Sequence, residues 1–137
     1  MNWHADRMQF SSRQFADVAV GSPVGRIDHG AAAQFEQALA PLLAQAEAEK
    51  RGLVLDLVGV EYISSVGLRV LMIAAKRMRA HGARIGVASL QPVVAEIFAI
   101  SRFDSILDVS PSVRSAIEKA SAPALAAFDA AHPSPAA

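Results

Sequence analysis

The hydrophobic and polar positions of the 137-residue chain fall into short runs of two different periods. Met8 to Arg13 and Val18 to Val24 flank a turn near Gln14 to Asp17, a pattern that predicts a β-hairpin. Pro23 has no amide hydrogen, which places its strand near an end or an edge. In "GRIDHG", residues 25 to 30, Asp28 is a candidate N-cap. Ala31 to Lys50 then carries Phe35, Leu39, Leu42 and Ala46 at helical spacing, and Lys50 and Arg51 form a basic last turn before Gly52, a helix stop.

"LVLDLVGV" from Leu53 is apolar almost throughout, as expected of a central strand covered on both faces. Two serines, Ser64 and Ser65, separate it from a second helix, Val66 to His81, stopped by Gly82. "ARIGVAS" reads as a strand, and Gln91 with Pro92 opens a third helix through "VVAEIFAIS", Pro92 suiting a first helical position. "SILDV" gives the last strand, and Ser110 with Pro111 starts a fourth helix to about Ala120. The order β-β-α-β-α-β-α-β-α predicts one α/β domain built on a mixed, largely parallel β-sheet with flanking helices. Residues 1–122 form this domain, and 123–137, with Pro123, Pro133 and Pro135 among alanines, form a flexible or partly helical C-terminal tail.

Composition removes several function classes. Basic and acidic residues balance at 13 each, so the whole-molecule field gives no reason to bind nucleic acid or an anionic membrane directly. With no cysteine there is no disulfide, thiolate nucleophile or thiolate metal site. His4, His29, His81 and His132 are scattered without metal-ligand spacing, so no metal is expected. The sequence shows no phosphate loop or dinucleotide fingerprint, and "ISSVG" lacks the first glycine of a nucleophile elbow, so neither a catalytic residue nor a cofactor is assigned. Polar residues through the first twenty positions argue against a signal peptide, and no run of about 18 apolar residues inserts into a membrane. The expected location is cytoplasmic.

The serine joint carries the remaining chemistry. One serine at a strand-to-helix turn accepts a hydrogen bond from an orphan N–H of the first helical turn. The second is a candidate phosphorylation site, because a helix N-terminus favours a phosphate of about −1.5 to −2 charge. A helical wheel turns Gly67, Val70, Leu71, Ala74 and Met78 toward the sheet, with Arg69, Met72, Lys76 and Arg79 opposite and Leu68 and Ile73 on the flanks. Between Tyr62 and Ala95 there are five basic residues and no acidic one, a local field suited to an acidic partner surface.

In combination, "GRIDHG", "LVLDLVGVEYISSVGLRVL" and "HGARIGVASLQPVVAEIFAISRFDSIL" resemble the STAS domains, specifically the small bacterial anti-sigma factor antagonists. The resemblance covers roughly Met8 to Ala120. It implies a non-catalytic protein that binds an anti-sigma factor acting also as a serine kinase; that kinase uses ATP to phosphorylate the antagonist, and a phosphatase reverses the modification. The family pattern D-S-[ST]-G-L, laid on "SSVGL", puts the acceptor at Ser65, with Ser64 the alternative. Ser64 stands where relatives carry aspartate, Val66 replaces a second hydroxyl, and Arg26 replaces the acidic residue of G-E-L-D. Asp28, Ser64, Ser65, Gly67, Leu68, Arg69, Met72 and Lys76 are the expected partner-binding residues. The other reading is a STAS scaffold or regulatory subunit of a membrane transport complex, in which the serines are unmodified. The oligomeric state is not set by the sequence.

Overall fold

Strand β1 (Gln9–Phe15) turns through Ala16 and Asp17 into β2 (Val18–Ile27), the predicted hairpin, in antiparallel register from Gln9 opposite Val24 to Phe15 opposite Val18. The computed structural model describes residues 8–133. After the hairpin come α1 (Ala32–Glu49), β3 (Gly52–Asp56), β4 (Val60–Ile63) and α2 (Ser65–Arg79). Strand β5 (Ile85–Ala88), α3 (Pro92–Ile100), a 3-10 turn (Phe103–Ser105), β6 (Asp108–Ser110), α4 (Val113–Ala120) and α5 (Ala122–Ala131) complete the chain. The sheet runs β1-β2-β3-β5-β6, with β4 paired to the last residues of β2, and every pairing except β1 with β2 is parallel.

Alternation along the strands distributes two cores. On one face, Leu53 and Leu55 of β3 meet Phe35 and Leu39 of α1, Leu71 and Met78 of α2 and Phe98 of α3, all essentially without solvent contact. On the other, Phe15, Val18, Val20 and Val54 meet Ala116 and Ile117 of α4 and Ala124 of α5. Strand β3 is buried on both sides, which is why it reads as an unbroken apolar run.

That same run hides a break. "LVLDLVGV" is two strands rather than one: Asp56 Oδ1 accepts the Val58 N–H at 3.1 Å and folds a turn between β3 and β4. Leu57 and Val60 stay buried on either side of the turn, so hydropathy alone does not record it. Pro23 is not on an edge strand either. It lies between the β3 pairing, which ends at Gly21, and the β4 pairing, which begins at Gly25, a gap that tolerates a missing donor in an interior strand.

Other local expectations shift by a few residues. The N-cap position of α1 is Ala31, with no side-chain cap, while Asp28 Oδ1 accepts the Ala31 N–H at 2.9 Å and closes the turn before the helix. Helix α1 ends on Lys50 in the left-handed region (φ 54°) rather than on Gly52, which opens β3. Only Asp108 to Ser110 of the "SILDV" neighbourhood is strand, because the 3-10 turn takes up Phe103–Ser105. Helix α4 is capped by Ser112 in a capping box with Ser115, whereas Ser110 is buried. Pro123 sits in the first turn of α5, where Phe128 packs edge-on against Phe15 with ring centroids 5.3 Å apart. Residues 134–137 of the predicted tail and His4 lie outside the described residues.

Candidate functional site

The site is built where β2 and β4 end side by side. Ile27 and Ile63 are paired, and the Ser64 N–H donates to the Ile27 carbonyl at 2.8 Å, so the loop after β2 and the serine joint after β4 leave the sheet together. Ser64 is extended (φ −82°, ψ 170°), its Oγ accepts the Gly67 N–H at 3.2 Å, and its carbonyl accepts the Leu68 N–H at 2.9 Å. These contacts define an N-cap, and they leave Ser64 only 9% exposed. Ser65 is the first residue of α2 and is exposed.

Gly67 explains how the helix starts so close to the strands. A Cβ there would lie 2.8 Å from Ile27 Cγ2 and from Ile63 Cγ1, closer than real side chains approach. Glycine therefore lets the first turn of α2 rest on both strand ends and brings Ser65 to the surface beside the Asp28 turn. The first turn holds no acidic residue, and the last holds Lys76, Arg77 and Arg79, which complement the negative end of the helix dipole. Arg26, paired in register with Tyr62, lies over its ring at 4.7 Å from the centroid.

The remaining expected partner-binding residues divide by burial. Arg69 and Lys76 are exposed, Asp28 and Met72 half-buried, and Gly67 and Leu68 buried. The helical wheel placed Met72 at the centre of the outer face with Leu68 and Ile73 flanking it. In the fold Leu68 turns inward, Met72 packs against the main core, and Ile73 is the exposed apolar residue at 51%. The wheel fixes spacing but not the helix's rotation; Val70 and Ala74 are buried beside α1 as expected, while the flank bearing Leu68 and Met72 is turned into the main core and Ile73 is left at the rim. A groove lined by Leu39, Ala40, Leu43, Val70, Ile73 and Ala74 lies between α1 and α2. The sequence carried no signal for it, because the groove exists only through the packing of α1 against α2.

Among the described residues no group of three or more His, Asp or Glu is placed to hold a metal ion, and no helix is long and apolar enough to cross a membrane. His81 Nε2 lies 3.2 Å from a Glu47 carboxylate oxygen, and His132 Nε2 is 2.7 Å from an Arg13 guanidinium nitrogen.

The family description "STAS domain" matches residues 9–116. The chain belongs to the STAS domain family. A relative in Bordetella bronchiseptica, named "Putative anti-sigma factor antagonist BtrV", is 44% identical over 80 residues, which span 58% of this chain and 69% of that protein. An anti-sigma factor antagonist from Mycobacterium paratuberculosis has a crystal structure that matches with a TM-score of 0.74 at 25% identity, covering 84% of this chain and 95% of the other. The phosphorylated form of the Bacillus cell fate determinant SpoIIAA matches with a TM-score of 0.59 at 15% identity, over 81% of this chain and 98% of that one. The STAS domain of this chain is thus of the type found in anti-sigma factor antagonists, with the serine joint lying inside the matched region.

Proposed function

We propose that this STAS protein is an anti-sigma factor antagonist that binds an anti-sigma factor with serine kinase activity and is released by phosphorylation of Ser65. The observation that carries the reading is the division of labour at the joint. Ser64 spends its hydroxyl on the Gly67 N–H, and Ser65 presents its own at the surface on the first turn of α2. A phosphate on Ser65 sits at the positive end of the helix dipole, where the fold accommodates it. A partner seated on the same joint instead faces a new, strongly hydrated dianion, so the modification separates the complex while leaving the antagonist folded.

The chain itself supplies no catalysis in this reading and needs no cofactor; ATP belongs to the kinase, and a phosphatase resets Ser65. The setting is the cytoplasm, where ATP and a sigma factor are found. Two observations support the assignment: the Bordetella relative bears the antagonist's name, and SpoIIAA, which shares the fold, has been solved in a phosphorylated form. Titration calorimetry against the cognate kinase tests it. Ser65→Asp is expected to weaken binding by at least about tenfold, equivalent to about 1.4 kcal/mol, while Ser65→Ala binds like wild type. Equal affinity of Ser65→Asp and wild type would falsify the reading.

A further inference from the structure

Helix α2 carries its exposed residues in a stripe that begins at Ser65 and continues through Arg69 to Ile73, about 12 Å along the helix at 1.5 Å per residue. At Ile73 the stripe meets the groove between α1 and α2, a depression of about 290 Å³. The floor is apolar: Leu39, Leu43, Val70 and Ala74 are buried. Ala40 leaves the α1 wall low, Ile73 forms the α2 rim, and Glu36 and Arg77 are the charged side chains at its margin. Arg77 is already engaged by Glu47. Arg69, Lys76 and Arg79, along the exposed side of α2, have no ion-pair partner among the described residues.

We propose that the α1–α2 groove is the anchor pocket for the anti-sigma partner, receiving one large apolar side chain from an acidic surface of that protein. This deepens the proposed function and rests on it. A partner that covers Ser65 and extends along α2 passes Arg69, reaches the groove at Ile73 and meets Lys76 and Arg79 just beyond it. Charge complementarity selects an acidic surface for the approach, and the low wall at Ala40 admits an apolar anchor between the helices. The serine then governs one end of the interface and the groove fixes the other.

Calorimetry with the cognate kinase, using the full chain, separates the two ends. Ile73→Ala removes the apolar rim. Ala40→Trp fills the groove from an exposed position of α1, and Ala48→Trp, exposed and about 12 Å further along the same helix, serves as the control. Ile73→Ala and Ala40→Trp are expected to weaken binding by about tenfold or more, and Ala48→Trp to leave it within about twofold. Unchanged binding by Ile73→Ala and Ala40→Trp, with binding lost in Ser65→Asp, overturns the groove and leaves the serine reading standing. Weakened groove variants beside an unaffected Ser65→Asp support the groove and overturn the serine reading. Light scattering that shows a dimer of the free protein, lost in Ile73→Ala, assigns the groove to a second copy and overturns the proposal.

Discussion

Ser64 and Ser65 are adjacent and chemically identical, and backbone geometry alone gives them different work. Ser64→Ala removes the α2 cap and is expected to lower stability by about 1 kcal/mol. Ser65→Ala, at an exposed first helical position, is expected to stay within about 0.5 kcal/mol of wild type in urea denaturation. Gly67→Ala forces a methyl group against Ile27 and Ile63 and is expected to destabilise by about 1–3 kcal/mol in the same assay. The joint was legible from the chain, since serines between an apolar run and a helical run mark a strand-to-helix turn. The division between the two was not, because it depends on Ser64 being held extended by the Ile27 carbonyl across a strand pairing that sequence does not display.

At the scale of elements, periodicity revealed the helices and most strands but failed where burial is continuous. The break between β3 and β4 is marked only by Asp56 and Gly59 inside an apolar run, and residues on both sides of the turn are buried. The rotation of α2 was equally hidden, since packing against the rest of the core, and not the helix's own periodicity, decides which of Leu68, Met72 and Ile73 turns inward. Helix α5 adds a packed element on the β1 side of the sheet, tied to α4 by two hydrogen bonds of 3.0 Å from Arg114 to Asp129. The hydrogen bond from Arg114 holds the Asp129 carboxyl below its ordinary value, and Asp129 in turn raises Arg114. A lowered carboxylate value means that the pair's contribution is present above the ordinary Asp range and is lost as pH falls through the lowered value. The pair is exposed, so salt screens it as well. Asp129→Asn is therefore expected to speed amide hydrogen exchange in α5 at neutral pH and low salt, with the difference from wild type shrinking in acid and at high salt.

At the scale of the whole molecule, formal charge sums to zero, yet the field is uneven, with Arg69, Lys76 and Arg79, which have no ion-pair partner among the described residues, strung along α2 from the turn after the serine joint to its last turn. Binding of an acidic partner is accordingly expected to weaken as salt rises despite the chain's overall neutrality, with the change concentrated in the association rate. Arg69→Ala combined with Lys76→Ala is expected to flatten that dependence in stopped-flow measurements. The central claim is that this end of the molecule is a phosphate-controlled docking site with Ser65 as its acceptor. Mass-spectrometric mapping after incubation with the cognate kinase and ATP tests it most directly. The account predicts one phosphate, on Ser65, retained in Ser64→Ala and absent from Ser65→Ala. Phosphate on Ser64 in the wild type, or no phosphate on a chain that binds the kinase stably, would contradict it.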